Sequence, residues 1–173
     1  MSAALMSRIV SHQKMKLSSP QEYELELLDS ETYKVKGKNG EEKFSAPASS
    51  KAIPKLYVVH DSEVIHYVGI TRQSIATRLR YGLKAKGTHG YYGYKWKKHS
   101  EKLELSIWVL ENMEPDEAYQ ELETIEAEII FLCRLHFDQW PESQHEIHFH
   151  KSGELHRKCA QRIYEQIESN ING

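Results

Sequence analysis

Apolar and polar residues alternate with the period of two expected of β-strands from Tyr23 to Leu28 and again from Thr32 to Lys36. Asn39-Gly40 is a tight-turn signal before Glu41 to Phe44, so residues 1–50 read as a polar N-terminal extension holding a small β-meander. The run from Ser45 to Ser50, small and proline-containing, has the composition of a linker and sets a boundary near residue 50. Beyond it the pattern is more regular. Lys55 to His60 and Val64 to Gly69 read as a hairpin turning at Asp61-Ser62. Ser74 can cap a helix in which Ile75, Leu79 and Leu83 line one face. A loop rich in glycine and aromatics, 87–94, follows it. Leu103, Leu105, Ile107 and Val109 then alternate with Glu104, Ser106 and Trp108, which predicts a half-buried strand. Pro115-Asp116-Glu117 opens a long helix with the apolar stripe Ala118, Leu122, Ile125, Ile129 and Leu132, and a last helix runs over about 155–169. The order β-β-α-β-α-α predicts an α/β (α+β) fold. Residues 51–150 would form a small, mainly antiparallel three-stranded sheet flanked by helices, with the helix of 151–173 packed on it.

Composition narrows the class without choosing a function. With 173 residues, 39% of them hydrophobic and 28% charged, the chain suits one catalytic domain with extensions and is too apolar to be disordered. The formal net charge of -2 matters less than its distribution. From Thr71 to Lys102 stand Arg72, Arg78, Arg80, Lys84, Lys86, Lys95, Lys97, Lys98 and Lys102 against the single acid Glu101. Eight acids and no Lys or Arg follow between Glu111 and Glu128. Cys133 and Cys159 cannot make a disulfide framework, no signal-like stretch opens the chain, and no run approaches the roughly 18 apolar residues of a membrane span. A cytoplasmic protein without membrane partners is the expectation.

Phosphodiester hydrolysis needs a group that activates water, a cation facing the phosphate and, in most enzymes, a carboxylate-held metal ion. Residues 55 to 130 carry one of each. Lys55-Leu56-Tyr57 and Tyr67-Val68-Gly69 sit on the two hairpin strands; Arg78 follows Tyr67 by eleven residues on the next helix, and Glu126 follows Arg78 by forty-eight on a later one. In this order and spacing, over roughly 55–148, the chain resembles the GIY-YIG nucleases. The resemblance implies that Tyr57 activates the attacking water, Tyr67 positions water or phosphate, Arg78 binds the scissile phosphate and Glu126 holds Mg²⁺ (or Mn²⁺). A base role for Tyr57 also requires a cation that favours phenolate, which Arg78 or the metal would supply. Gly69 would permit a close backbone approach. Lys55 and Leu56 replace the first motif's glycine and isoleucine, and the family's later asparagine has no counterpart; Gln144 or His148 stands in its region.

Each residue alone has an ordinary structural reading. Strand tyrosines suit half-buried pleats, and a helical arginine is usually solvated. Glu126 is different, because it lies on the edge of the buried stripe, four after Leu122 and three before Ile129, where a carboxylate needs a cation or donors. Lys86, Tyr91, Lys95, Lys97 and Lys98, with Arg72 and Arg80, read as a DNA-binding surface in which lysines meet phosphates and rings meet bases. The tract His145, His148, His150, with His156 and Cys159, has zinc-compatible residue types, and His148 and His150 would share one face of a strand, but it lacks the usual close-spaced pair on each side, so a place beside the active site suits it better. The reading is a DNA endonuclease, of restriction or genome-defence type, with a homodimer as one route to target selection. A structure-specific repair nuclease and a non-catalytic nucleic-acid-binding module are the alternatives.

Overall fold

The computed structural model describes residues 15–87, 91–98, 102–141, 143–144, 147–148 and 150–172. In chain order the strands are β1 (Lys16–Leu17), β2 (Gln21–Leu27), β3 (Tyr33–Gly37), β4 (Lys55–His60), β5 (Ile65–Thr71), β6 (Lys102–Trp108) and β7 (Leu110–Glu111). The helices are α1 (Ile75–Lys84), α2 (Pro115–Phe137) and α3 (Glu154–Asn172), with a 3-10 turn at Trp96–Lys98. The architecture is α+β. Its main sheet has five strands in the order β3-β2-β6-β4-β5, every ladder antiparallel.

The three-stranded sheet expected from the sequence is therefore too small. Tyr23 and Leu25 on β2 pair with Leu105 and Leu103 on β6, so the strands before residue 50 extend the same sheet. The physical reason is that an edge of β6 would otherwise present unpaired backbone groups, and the apolar side of β2 needs a partner. Glu41 to Phe44 forms no strand; Phe44 instead packs edge-on against Tyr23, with centroids 4.8 Å apart. The segment 45–50 is tied down as well. Ala48 N–H donates to Gln21 Oε1 at 2.9 Å, and Ala48 C=O accepts from Ile75 N–H at 2.9 Å, which braces the start of α1.

The elements around the motifs form where their residues dictate. Asp61 Oδ1 accepts from the N–H groups of Glu63 and Val64, closing the β4–β5 turn as an Asx side chain can. Ser74 caps α1 by accepting from Thr77 N–H, and Ile75, Leu79 and Leu83 are all fully buried. The alternation expected of β6 holds from Lys102 to Leu105, where Lys102 and Glu104 are exposed and Leu103 and Leu105 buried; from Ser106 to Trp108 both faces are buried, Trp108 in the core that α2 and α3 close. α2 and α3 cover one face of the sheet over Leu56, Val58, Val68 and Trp108; α1 and the 91–96 loop cover the other over Tyr57, Val59, Leu105 and Ile107. No helix among the described residues is long and apolar enough to cross a membrane.

Candidate active site

The antiparallel register sets Tyr57 opposite Gly69 and Tyr67 opposite Val59, so Tyr57, Tyr67 and Gly69 share the sheet face beneath α1. Gly69 is required by the rings themselves. A Cβ there would stand 2.5 Å from Tyr67 Cε1 and 3.0 Å from the Tyr57 hydroxyl oxygen, so this glycine makes room for both phenols. The two rings lie 5.8 Å apart. Above them Arg78, one turn into α1, donates from Nε to the Tyr57 hydroxyl at 3.3 Å.

A third phenol completes the cluster. Tyr94 Oη lies 3.0 Å from Tyr57 Oη and donates to the Arg78 carbonyl oxygen at 3.4 Å; its ring meets Tyr67 edge-on at 5.4 Å and stacks on Trp96 at 4.7 Å. A carbonyl only accepts, so the arrangement that satisfies every contact has Tyr94 donating to it and Tyr57 donating to Tyr94. The hydroxyl hydrogen of Tyr57 is then directed away from Arg78, whose Nε–H fills one Tyr57 lone pair. Sequence reading placed Tyr94 only in an aromatic loop. The available signal was the isolated Gly82 inside α1: a Cβ at that position would meet Tyr94 Cε2 at 2.2 Å, and Gly82 C=O accepts from Tyr94 N–H at 3.2 Å.

Electrostatics follow from burial. Tyr57 is fully buried, and this desolvation pushes its phenol well above the ordinary value, outweighing the nearby Arg78 charge that pulls it down. Tyr94 shifts up for the same first reason, and Tyr67 is raised by burial, then by Tyr57, with the Glu126 charge adding to the effect. Burial disfavours the Arg78 charge, yet the surrounding phenol oxygens of Tyr57, Tyr94 and Tyr67 outweigh it, so the guanidinium holds its proton more tightly than usual. The cation therefore does not turn Tyr57 into a phenolate. Glu126, buried on α2, acts on both Tyr67 and Tyr119. Tyr57 and Tyr67 on the β4–β5 hairpin, Arg78 on α1 and Glu126 on α2 thus come together from one hairpin and two helices.

Lys55, two residues before Tyr57 on the same face, is fully buried. Its ammonium donates to the Ile53 carbonyl, and among the described residues no carboxylate pairs with it; burial lowers its pKa to about 8.

The other predicted residues divide. Gln144 accepts from Val68 N–H at 3.4 Å, beside Tyr67 on β5, whereas His148 is exposed. Arg72 is paired with Asp116 at 2.6 Å and lies over the Tyr119 ring at 4.7 Å. Lys86 pairs with Glu31 at 2.6 Å. Lys97 donates to the carbonyls of Leu83 and Ala85, closing the C-terminal end of α1. Arg80, Lys95 and Lys98 are exposed, and Tyr91 is half-buried with its ring 5.8 Å from the Arg78 guanidinium. In the histidine tract, His150 bonds Glu123 at 2.9 Å; His156 contacts Glu121 and accepts from Gly153 N–H. His145 lies outside the described residues. Among the described residues no three His, Cys, Asp or Glu side chains are grouped as a metal site.

Comparisons of the chain with protein families, with curated proteins and with solved structures give no match.

Proposed function

We propose that this protein is a divalent-metal-dependent DNA endonuclease of the GIY-YIG type. The observation that carries the reading is the convergence of Tyr57, Tyr67, Arg78 and Glu126, with a guanidinium on a tyrosine hydroxyl and a buried carboxylate acting on the neighbouring phenol. An arginine so held, its proton secured by three phenols, is a fixed donor for a phosphate oxygen. Tyr67, half-buried where Tyr57 is enclosed, is the phenol closer to a substrate. Tyr57 serves as a neutral hydrogen-bonding group: it accepts from Arg78, donates to Tyr94 and keeps the arginine and Tyr67 in one geometry.

Glu126 is the residue that would hold a cation. One carboxylate completed by water and phosphate oxygens suits Mg²⁺, which keeps several waters and binds through one or two carboxylates, better than it suits zinc. When bound there, the ion would stabilise charge on the reacting phosphate and lower the pKa of water. Purified protein incubated with plasmid DNA and Mg²⁺ tests the reading. Nicking or linearisation is expected. Glu126→Gln should reduce it by about 10³-fold or more while DNA binding persists, because only the anionic ligand is lost. Wild-type turnover in that variant removes Glu126 from the site; DNA binding without any cutting by the wild type favours the non-catalytic module.

A further inference from the structure

Beside the tyrosine–arginine cluster, on the outer side of α1, lies an open cavity of about 510 Å³ bounded by Arg80, Tyr81, Lys84, Lys86 and Tyr91. None of its described lining residues is acidic; Lys86 is engaged by Glu31 at 2.6 Å, so Arg80 and Lys84, beside the aromatic rings, supply the cations of its wall. Tyr81 and Tyr91 are stacked on each other, with centroids 5.3 Å apart and planes 12° from parallel, and Tyr81 is 59% exposed. The Arg78 guanidinium lies over the Tyr91 ring, 5.8 Å from its centroid. The series Arg78, Tyr91, Tyr81 thus runs outward from the candidate site.

Exposed, parallel rings are an uncommon use of tyrosine, since the apolar area is left in water. They suit a ligand that is itself flat and comes with negative charge, because base–aromatic stacking and phosphate neutralisation are then both met. A larger concavity of about 870 Å³ shares Arg80 and Lys84 on the other flank of α1, but there Glu24, Glu26, Glu31 and Glu42 face Lys34, Lys36 and Lys43. Its four acids offset most of the charge of its five cations, so it has a weaker preference for an anion. Inside a duplex both faces of a base are covered by its neighbours, and only a base that has left the stack can use a ring platform.

We propose that the Tyr81–Tyr91 cavity takes one unstacked base of the bound DNA strand, next to the phosphate held at Arg78, with the base on Tyr81 and the flanking phosphates at Arg80 and Lys84. The inference rests on the reading of Arg78 as a phosphate ligand. It accounts for the paired rings, for the cationic wall and for the short distance from Arg78 outward.

Fluorescence anisotropy in EDTA, with the full chain, tests it on two labelled single strands: a short oligothymidylate and an abasic strand of the same length. Tyr81→Ala should weaken oligothymidylate binding about 10-fold, Tyr81→Phe should restore it, and the abasic strand should bind the wild type and Tyr81→Ala equally well. The double change Arg80→Ala and Lys84→Ala should weaken both strands and reduce the salt dependence. Equal losses on the two strands, or no effect of Tyr81→Ala, overturn the inference and leave the nuclease reading intact. So does a wild type that binds duplex DNA but neither single strand. Failure to bind any DNA removes the nuclease reading and the inference with it.

Discussion

The two faces of the one sheet are built from different materials. Under α2 and α3, Leu56, Val58 and Val68 meet Leu122, Ile125, Ile129, Ile163 and Ile167, an almost wholly aliphatic core. Under α1, the strands meet Tyr57, Tyr94 and Trp96 beside Leu79 and Leu83, and a guanidinium and phenol hydroxyls are enclosed with them. An aliphatic contact is non-directional, so many side chains of the right volume would fill the first face. A buried polar group is tolerated only in the geometry that satisfies it. The α1 face is therefore specified by hydrogen bonds, and the helix-pair face by volume. Substitutions on the helix-pair face should change stability, and substitutions on the α1 face should change chemistry.

The largest effect tests the aliphatic face. Leu122 is fully buried, so Leu122→Ala should cost about 2–5 kcal/mol of unfolding free energy through lost transfer energy and the cavity left behind. Denaturant titration measures it, and turnover per folded molecule should stay near wild type. A loss of turnover without a loss of stability would mean that the packing at Leu122 also positions Glu126, one turn further along α2.

The converse change is Tyr57→Phe. The ring and its packing remain, so the melting temperature should move little, while Arg78 Nε and Tyr94 lose their common partner. Cleavage should fall by about 10²-fold. The pH dependence distinguishes a neutral role from a phenolate one. Burial holds the Tyr57 phenol above its ordinary value near 10, so it carries its proton throughout the range from about 6 to 9. Wild type and variant should then show parallel rate profiles over that range. A rising limb present only in the wild type would assign the ionisation to Tyr57 and restore the base role that the sequence suggested.

The same contrast explains what was legible in the sequence. Periodicity reports burial of apolar residues, and it located α1, α2, α3 and the β4–β5 hairpin from Ile75, Leu79, Leu122 and their repeats. It did not assign β2 and β3 to the main sheet, because strand pairing between residues 21–27 and 102–108 is non-local and leaves no local signal. The buried half of β6 was hidden for a related reason: Ser106 is polar, yet it is buried on a strand flanked by two others. In the proposed site, order and spacing singled out Tyr57, Tyr67, Arg78 and Glu126, residues that the fold does bring together. Tyr94 was not, since its role depends on where a glycine-rich loop docks, and Gly82 alone marked the place. Lys97 read as a DNA ligand because charge suggests solvent, whereas its ammonium is used on the end of α1.

The smallest predicted effect concerns Lys55, a cation enclosed on the α1 face near Tyr57 and bonded to a backbone carbonyl, with no ion pair to a described carboxylate. Burial lowers its pKa to about 8, against about 10.4 for an unfolded lysine. Between these values the unfolded chain binds more protons than the folded one, so stability rises with pH across the window. The contribution is complete above about 10 and is lost as pH falls through about 8. Tyr57 and Tyr94 act in the opposite sense above about 10, where the folded state keeps phenol protons that the unfolded state releases, which closes the window from above. Lys55→Met keeps the length of the side chain and removes the charge. At pH 7 it should raise the melting temperature by a few degrees, on the order of 1 kcal/mol, and it should flatten the rise that the wild type shows from pH 8 to 10. The two curves should approach each other near pH 10, where the wild-type amine is neutral. A lower melting temperature for Lys55→Met at pH 7 would show that the bond to the Ile53 carbonyl outweighs the desolvation of the ammonium, and that this polar group, like Tyr57, is held by its partner.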